Sequence, residues 1–272
     1  MDFQKKDTYT MEDLLEIMRI LRSPEGCPWD REQTHKSIRA SLIEETYEAV
    51  EAIDTDNTEL LKEELGDVLL QVVFHANLEE EAGKFDFSQV ADGICKKLIV
   101  RHPHVFGDVQ VQNSAEVLQN WDSIKKETKH QTTQSQVLQS VSPALPALMR
   151  SAKVQQRAAK SGYDFTDVWQ TLQKVEEETA ELKEAIQQGN EDACRQEIGD
   201  LLFSVVNTAR HLKVEPEHAL TLSCNKFIAR FCAAEELAAK QGLSLSCASP
   251  EELDKLWNEV KKSHIPQLGK PD

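Results

Sequence analysis

The chain has 272 residues, of which 40% are hydrophobic and 29% charged, and it carries a formal net charge of −16. This composition is typical of a soluble protein with enough apolar residues for one large domain or two of ordinary size. The negative charge disfavours binding to DNA or RNA, because their phosphate backbones would be repelled. It does not exclude a small phosphorylated ligand that is held by a metal and a few local cations.

Nothing in the sequence indicates a membrane or an oxidising compartment. No apolar run approaches the roughly 20 residues needed to span a bilayer, and the first residues lack the apolar core of a secretory signal. The six cysteines are scattered without a C-x-x-C pair, which disfavours a zinc site and a disulfide framework. We therefore expect a cytoplasmic protein without membrane contact.

The apolar residues recur with a helical period along almost the whole chain, as in ELGDVLLQVVFHA from Glu64, whose stripe predicts one buried helix face. Asp56 with Glu59 predicts a helix start, and Gly83 and Gly189 stand where helices should end. Strand-like alternation is weak, so the sequence predicts an all-α fold. The predicted helices span residues 10–23, 34–54, 57–82, 87–101, 114–127, 146–161, 166–188, 190–213, 216–241 and 249–263.

The two halves of the chain indicate an internal duplication. GDVLLQVV matches GDLLFSVV, KLIVR matches KFIAR, and WDSIKK matches WNEVKK. The segment between the halves is rich in Gln, Ser and Thr and poor in large apolar residues, which is typical of a linker. We predict an N-terminal domain at residues 1–127, a linker at residues 128–145 and a C-terminal domain at residues 146–272.

An acidic pattern is repeated in the same register in both halves. EETYEAVEAI, from Glu44, is followed by EELGD, and EETAELKEAI, from Glu177, is followed by QEIGD. In each half, two acids three residues apart precede a second such pair, and the first and third acids are 19 residues apart. These acids are Glu45, Glu48, Glu64 and Asp67 in the first half and Glu178, Glu181, Glu197 and Asp200 in the second.

The spacing of the acids predicts a metal site in each half. Helical residues three apart share a face, and a short turn makes the two helices neighbours, so the four carboxylates should meet. Clustered carboxylates repel one another unless a cation lies among them, and oxygen ligands without His or Cys favour Mg²⁺ or Mn²⁺. The alternative is a solvated acidic face, because a chain with 47 acids contains such spacings by chance. The repeated register, the repeated GD and the adjoining apolar stripe favour the metal.

These motifs together resemble the MazG family of nucleoside triphosphate pyrophosphohydrolases, within the all-α NTP pyrophosphatase group. The resemblance covers nearly the whole chain and includes GCPWDREQTH, RHPHVFGD and RAAKSGYDF. It implies two tandem MazG-like helical-bundle domains, with the bundle completed by homodimerisation. It also implies Mg²⁺-dependent hydrolysis of nucleoside triphosphates, ATP among them, to the monophosphate and pyrophosphate, with broad base tolerance.

The resemblance implies roles in the C-terminal copy, which is generally the competent one in tandem members of the family. Glu178 and Glu197 are catalytic as well as metal ligands, and Glu177 orients or deprotonates the attacking water. Residues implied in substrate binding are Lys174, Arg195, Asp200, Lys226, Arg230, Trp257 and Lys261. Of these, Lys226, Arg230 and Lys261 would meet phosphates and Trp257 would stack on the base. The alternatives are a solvated helix edge for Lys226 and Arg230 and a core position for Trp257.

Two other functions remain to be weighed. A di-iron helical bundle needs Glu-x-x-His motifs, and no His lies three residues after any of these acids. A non-catalytic nucleotide-binding or regulatory scaffold is disfavoured because both copies keep all four acids. The first copy is not excluded from catalysis, although Glu63 stands where the second copy has Gln196.

Overall fold

The computed structural model describes residues 3–128 and 131–262, which form helices and contain no strand. The helices within these ranges are α1 (Met11–Arg22), α2 (Pro28–Glu32), α3 (Arg39–Asp54), α4 (Thr58–Glu81), α5 (Phe87–Arg101), α6 (Pro103–Phe106), α7 (Ser114–Thr128), α8 (Gln134–Gln139), α9 (Ala147–Ala159), α10 (Val168–Gln188), α11 (Glu191–His211), α12 (Pro216–Lys240) and α13 (Pro250–Lys262). The all-α prediction is confirmed. Over the same ranges, no helix is both long enough and apolar enough to cross a membrane.

The ten predicted helices are present, and most of their ends differ by a few residues at most; residue 263 lies outside the described part. The largest difference is at residues 34–38, which form a turn before α3. There the Thr34 N–H donates to Ser37 Oγ at 2.8 Å and the Ser37 N–H to Thr34 Oγ1 at 3.2 Å. Such side-chain bonds to the backbone compete with helix formation. Helices α2, α6 and α8 were not predicted, because six residues or fewer show no helical period.

The start of α4 differs from the predicted cap. Asn57 is the N-cap, and its Oδ1 accepts a hydrogen bond from the Leu60 N–H at 3.1 Å. Asp56 instead has a φ of 52°, in the left-handed region, where it turns the chain between α3 and α4. The predicted helix ends at Gly83 and Gly189 are confirmed, with φ values of 68° and 65° that glycine adopts without strain.

The chain forms two compact units, the first ending at Trp121 and the second beginning at Asp122. In the first unit α3 and α4 pack along each other, and α1 lies against α4. The core of this unit consists of the buried side chains of Met18, Ile38, Val73 and Phe74. The α3–α4 pair carries the acidic pattern of the first half, so this packing decides where its carboxylates lie.

In the second unit α10 and α11 form the corresponding pair, with α9 packed on α11 and α13 on α12. Helix α8 lies within the predicted linker and packs on α9. Arg157 of α9 donates hydrogen bonds to the Val137 carbonyl oxygen and, at 2.7 Å, to Ser140 Oγ. Part of the predicted linker is therefore folded onto the second unit, while the domain limits given above stay predictions.

One helix face that the sequence predicts to be buried is largely exposed in each unit. Within these apolar stripes, Val73 and Ala76 of α4 and Val206 of α11 are buried. Each helix pair covers one side of these helices, and the described side chains on the other side stay between 36% and 55% exposed. These exposed apolar residues include Leu65, Leu69 and Val72 on α4 and Ile198, Leu202 and Val205 on α11.

Candidate active site with two carboxylate clusters

The first carboxylate cluster lies between α3 and α4. One carboxylate oxygen from each of Glu45, Glu48 and Glu64 lies within 4.8 Å of the other two. Glu64 is the buried member, with 7% of its surface exposed. Asp67 stands one helical turn beyond Glu64, as the spacing predicts, and its charge acts on Glu45 and Glu64. Three of the four predicted acids of the first half therefore meet, and Asp67 lies near enough for its charge to act on them.

The electrostatics of the first cluster favour a bound cation. Burial raises the pKa of Glu64 above its ordinary value, and the charges of Glu48 and Asp67 raise it further. Burial likewise raises the pKa of Glu45. Glu64 Oε2 is buried without a hydrogen-bond partner, which is costly for a charged group. An ion that prefers oxygen ligands, such as Mg²⁺, fits this set of donors.

The second cluster lies between α10 and α11, in the same register. One carboxylate oxygen from each of Glu178, Glu197 and Asp200 lies within 4.8 Å of the others, and Glu178 is the buried member, with 5% of its surface exposed. Burial raises the pKa of Glu197, and the nearby charges of Glu181, Asp200 and Glu178 raise it further. Glu181 is more exposed but lies close enough to act on Glu197. Three of the four predicted acids of the second half thus meet, and Glu181 lies beside them.

A lysine distinguishes the second cluster from the first. Lys174 Nζ lies 2.7 Å from Glu177 Oε1 and 2.7 Å from Glu178 Oε1. Hydrogen bonds to Glu177 and Glu178 raise the pKa of Lys174, so this side chain stays positively charged. In the register that matches Glu178 with Glu45, the first copy has Ser41 at this position. The predicted site residues Lys174 and Glu177 are therefore beside the second cluster, and the lysine has no equivalent in the first.

A cavity of about 600 Å³ adjoins the second cluster. Glu178, Asp200 and Lys174 form one part of its wall. Aromatic and polar residues from α9, α11 and the loop between α9 and α10 form much of the rest; they include Gln155, Tyr163, Phe165, Phe203, Ser204, Asn207 and Arg210. The carboxylates therefore lie at the edge of a space that can take a small molecule.

A network of polar side chains lies at one side of the cavity. Arg210 donates from Nε to Asn207 Oδ1 at 3.0 Å and from Nη1 to Asp164 Oδ2 at 3.0 Å. His211 Nε2 lies 3.1 Å from Asp164 Oδ1. Burial alone would raise the pKa of Asp164, but the hydrogen bonds from Arg210 and His211 outweigh it and lower that pKa. The arginine charge is thus paired within the protein.

The other predicted substrate-binding residues do not line this cavity. Arg195 is exposed on α11 and pairs with Asp192 at 3.5 Å. Lys226 and Arg230 lie on α12, which contacts α13 through the rings of Phe227 and Trp257, 5.3 Å apart. Lys261 Nζ lies 6.0 Å from the centre of the Trp257 ring. The structure groups the residues of α12 and α13 with one another, and their substrate roles stay predictions.

Sequence reasoning missed much of the cavity wall. Gln155 and Tyr163 lie in or near the RAAKSGYDF motif, which the resemblance includes as a whole without assigning a role to any residue. Asn207 and Arg210 follow Asp200 along the same helix, and that position indicated residues that support the site or contact a second copy of the chain, not a cavity wall. No pattern in the sequence indicated that a cavity would remain among α9, α11 and the loop between α9 and α10.

Comparison with known proteins agrees with the geometry of both clusters. The model of the MazG nucleotide pyrophosphohydrolase domain matches residues 33–106 and 164–232, and each match contains one cluster. A Thermotoga maritima protein named nucleoside triphosphate pyrophosphohydrolase/pyrophosphatase MazG is 46% identical over 250 residues, which are 92% of this chain and 95% of that protein. An Escherichia coli K12 protein named nucleoside triphosphate pyrophosphohydrolase is 43% identical over 258 residues, 94% of this chain and 98% of that protein. With two domain matches and relatives that align over nearly its whole length, the chain belongs to the MazG nucleotide pyrophosphohydrolase family.

Proposed function

We propose that the chain hydrolyses nucleoside and deoxynucleoside triphosphates, ATP among them, to the monophosphate and pyrophosphate. The proposed metal is Mg²⁺, with Mn²⁺ as a substitute, and the proposed base tolerance is broad. The observation that carries the proposal is the meeting of Glu178, Glu197 and Asp200 at the wall of a cavity of about 600 Å³. Family membership and the names of the two relatives support the same reaction class.

Both clusters have donors that fit a hard divalent cation. Their ligand atoms are carboxylate oxygens without sulfur or nitrogen, the set that Mg²⁺ prefers. When bound, Mg²⁺ supplies neutralisation of the triphosphate charge and a more acidic water. The residues proposed to hold it are Glu178, Glu181, Glu197 and Asp200 in the second copy and Glu45, Glu48, Glu64 and Asp67 in the first.

Glu177 and Lys174 are proposed to act directly on the reacting groups. Glu177 is more than half exposed beside the buried Glu178, so its carboxylate can orient an attacking water and accept its proton at Oε2. Lys174 bonds to Oε1 of Glu177 and so leaves Oε2 for that water. The Lys174 ammonium, which also contacts Glu178, is proposed to bind a phosphate oxygen of the substrate. The second copy has this pair and the first copy lacks the lysine, which supports the second copy as the catalytic one.

A homodimer is proposed to cover the apolar residues that each helix pair leaves exposed. Leu202 on α11 is 53% exposed and Leu65 on α4 is 55% exposed, although both belong to apolar stripes. Light scattering at two protein concentrations tests the dimer, and a monomer mass at both would contradict it.

Lys226, Arg230 and Lys261 are proposed as phosphate contacts, Arg195 as a further ligand contact, and Trp257 as a base contact.

Free nucleotides in the cytoplasm are the proposed substrates, rather than DNA or RNA. The net charge of −16 would repel a polynucleotide. The six cysteines are free thiols, which suits a reducing compartment. The alternative function is a non-catalytic helical module that binds nucleotides or regulates a partner. The retention of two complete carboxylate clusters favours the enzyme, because a binding module does not need them.

Pyrophosphate release from a panel of nucleoside triphosphates, with Mg²⁺ or with EDTA, tests the proposed function. We expect Glu197→Gln to abolish release, because it removes a ligand of the second cluster. We expect Glu64→Gln to leave most of the activity. Glu184→Gln is the matched control, because Glu184 is exposed on α10 and outside the cluster. No turnover of any nucleotide would favour the binding module, and equal losses in both cluster variants would contradict the choice of the second copy.

A further inference from the structure

Two histidines of the first unit meet outside the carboxylate cluster. His35 lies in the turn before α3 and His75 lies on α4, and their Nδ1 atoms are 2.7 Å apart. The ring planes differ by 4° and the ring centres are 5.0 Å apart. Because the centres are much farther apart than the Nδ1 atoms, the rings meet through these nitrogens and not face to face. Such a contact between two ring nitrogens is a hydrogen bond, and it needs one proton between them.

Glu79 determines which nitrogen of His35 carries a proton. His35 Nε2 lies 2.8 Å from Glu79 Oε1, and Lys84 Nζ lies 3.0 Å from Glu79 Oε2. The hydrogen bond from Lys84 lowers the pKa of Glu79 against the effect of burial, and the bond from His35 lowers it further. Glu79 is therefore an ionised carboxylate that only accepts hydrogen bonds, so His35 Nε2 must carry a proton. When His35 is neutral, its Nδ1 is an acceptor and His75 donates from Nδ1.

The contact between the two rings tolerates one added proton and not two. If one ring becomes an imidazolium, its Nδ1–H donates to the Nδ1 of the other ring, and one proton still lies between the nitrogens. If both rings are imidazolium ions, two N–H groups with like charges point at each other across 2.7 Å. Neither nitrogen can then accept, so the hydrogen bond is lost and the rings repel each other.

The other charged groups at this end of α4 are paired within the protein, exposed or engaged in a helix cap. Arg19 and Arg22 of α1 pair with Glu80 and Glu81 of α4 at 2.9 Å and 2.7 Å. The turn before α3, α3 itself and the loop before α5 contribute Lys36 and Arg39, which are exposed, and Asp86, which caps α5.

The direction of the pH effect follows from His75. Burial lowers the pKa of His75 below its ordinary value of 6.5, and the charge of His35 lowers it further. Separated rings therefore take up the second proton at a higher pH than rings in contact. The stability of the contact is fully present above the ordinary value and is lost as the pH falls below it.

The contact fastens the beginning of α3 to α4. The turn at residues 34–38 leads directly into α3, and the Ile38 N–H donates to the Thr34 carbonyl oxygen at 3.2 Å. Helix α3 carries Glu45 and Glu48, two members of the first carboxylate cluster. In the register that matches Glu178 with Glu45, the second unit has Val168, Thr208 and Leu212 in place of His35, His75 and Glu79. The second unit thus has no ionisable side chain at these three positions.

We propose that His35 and His75 form a proton-sensitive latch, which holds the turn before α3 on α4 while at most one of the two rings is protonated and releases it when both are. Acidification then loosens the beginning of the helix that supplies two carboxylates to the first cluster. The second unit keeps its helix pair under the same conditions. This device goes beyond the proposed function and does not depend on it.

Hydrogen–deuterium exchange of the intact chain, read by mass spectrometry, tests the latch. The measured quantity is the protection of residues 34–42, relative to the unfolded chain at the same pH. In the wild type we expect protection to fall by about tenfold per pH unit below about pH 6.5, because the released state binds one proton more. In His75→Gln we expect no such fall, because the amide can donate to or accept from His35 Nδ1 and does not titrate. His218→Gln is the matched control, the same substitution at an exposed histidine of the second unit, and should behave as the wild type.

Two results of this experiment would overturn the inference. Protection of residues 34–42 that does not change with pH in the wild type would show that the contact is not a latch. The same fall in His75→Gln as in the wild type would show that another group is responsible.

Nitrogen-15 NMR of the wild-type histidines gives a test that needs no variant. At neutral pH we expect a proton on His35 Nε2 and one proton shared by the two Nδ1 atoms. Spectra in which both Nδ1 atoms carry a proton, or neither does, would contradict the latch.

Discussion

At the residue scale, the two clusters bury different members of the same four-acid pattern. Glu64, the third acid, is buried in the first unit, and Glu178, the first acid, is buried in the second. Lys174 contacts Glu178 directly, whereas Ser41 stands at the matching position of the first copy. The first cluster therefore depends more strongly on a bound cation to offset the repulsion between its carboxylates.

The pH dependence of stability should reveal this repulsion in the metal-free protein. The pKa of Glu64 is raised above its ordinary value of 4.5, so the folded state takes up a proton at a higher pH than the unfolded state. The destabilising effect of its charge is present above the folded pKa and is lost as the pH falls through that value. In EDTA at about pH 7.5, we expect Glu64→Gln to melt at a higher temperature than the wild type, and the difference to shrink toward about pH 5.

Thermal unfolding of both proteins across this pH range is the measurement. A difference that does not change with pH would contradict the account of Glu64. Excess Mg²⁺ should reverse the order at neutral pH, because binding to the folded wild type stabilises it. His75, whose pKa is lowered by burial and by His35, adds its own pH dependence to both proteins and cancels in the comparison.

At the element scale, the long helices were predictable and the short ones were not. The periods of α3, α4, α10 and α11 extend over four or more turns, so the pattern identifies both the helices and the acids on them. The turn at residues 34–38 depends on bonds between Thr34 and Ser37, which periodicity does not show. The predicted cap at Asp56 was one residue early, because Asp and Asn both suit that position.

The cap of α4 can be tested directly. Asn57→Ala removes the acceptor of the Leu60 N–H, and we expect it to lower the free energy of unfolding by about 1 kcal/mol. Asp56→Gly should cost no stability from lost capping, and it relieves the strain of a positive φ. Urea unfolding of the two variants gives both values. A larger loss in Asp56→Gly than in Asn57→Ala would show that Asp56 is the cap after all.

At the scale of the whole molecule, the duplication was predictable and the difference between the copies was not. The matched acids and GD motifs predict that one kind of domain occurs twice in the chain, and the two family matches confirm the duplication. The cavity depends on how α9 packs against α11 and on what fills the space between them. Phe74 and Asn207 occupy matching positions, one inside a core and one beside a cavity. The sequence alone does not indicate which of them borders empty space, because that depends on packing between distant segments.

The central claim is that each half of the chain holds a divalent ion between the carboxylates of two neighbouring helices. Mn²⁺ binding to the intact chain, measured by titration calorimetry, tests it most directly. We expect two sites per wild-type chain, with Glu64→Gln removing one and Glu197→Gln removing the other. Binding of Mn²⁺ that neither variant changes, or no binding at all, would contradict the claim.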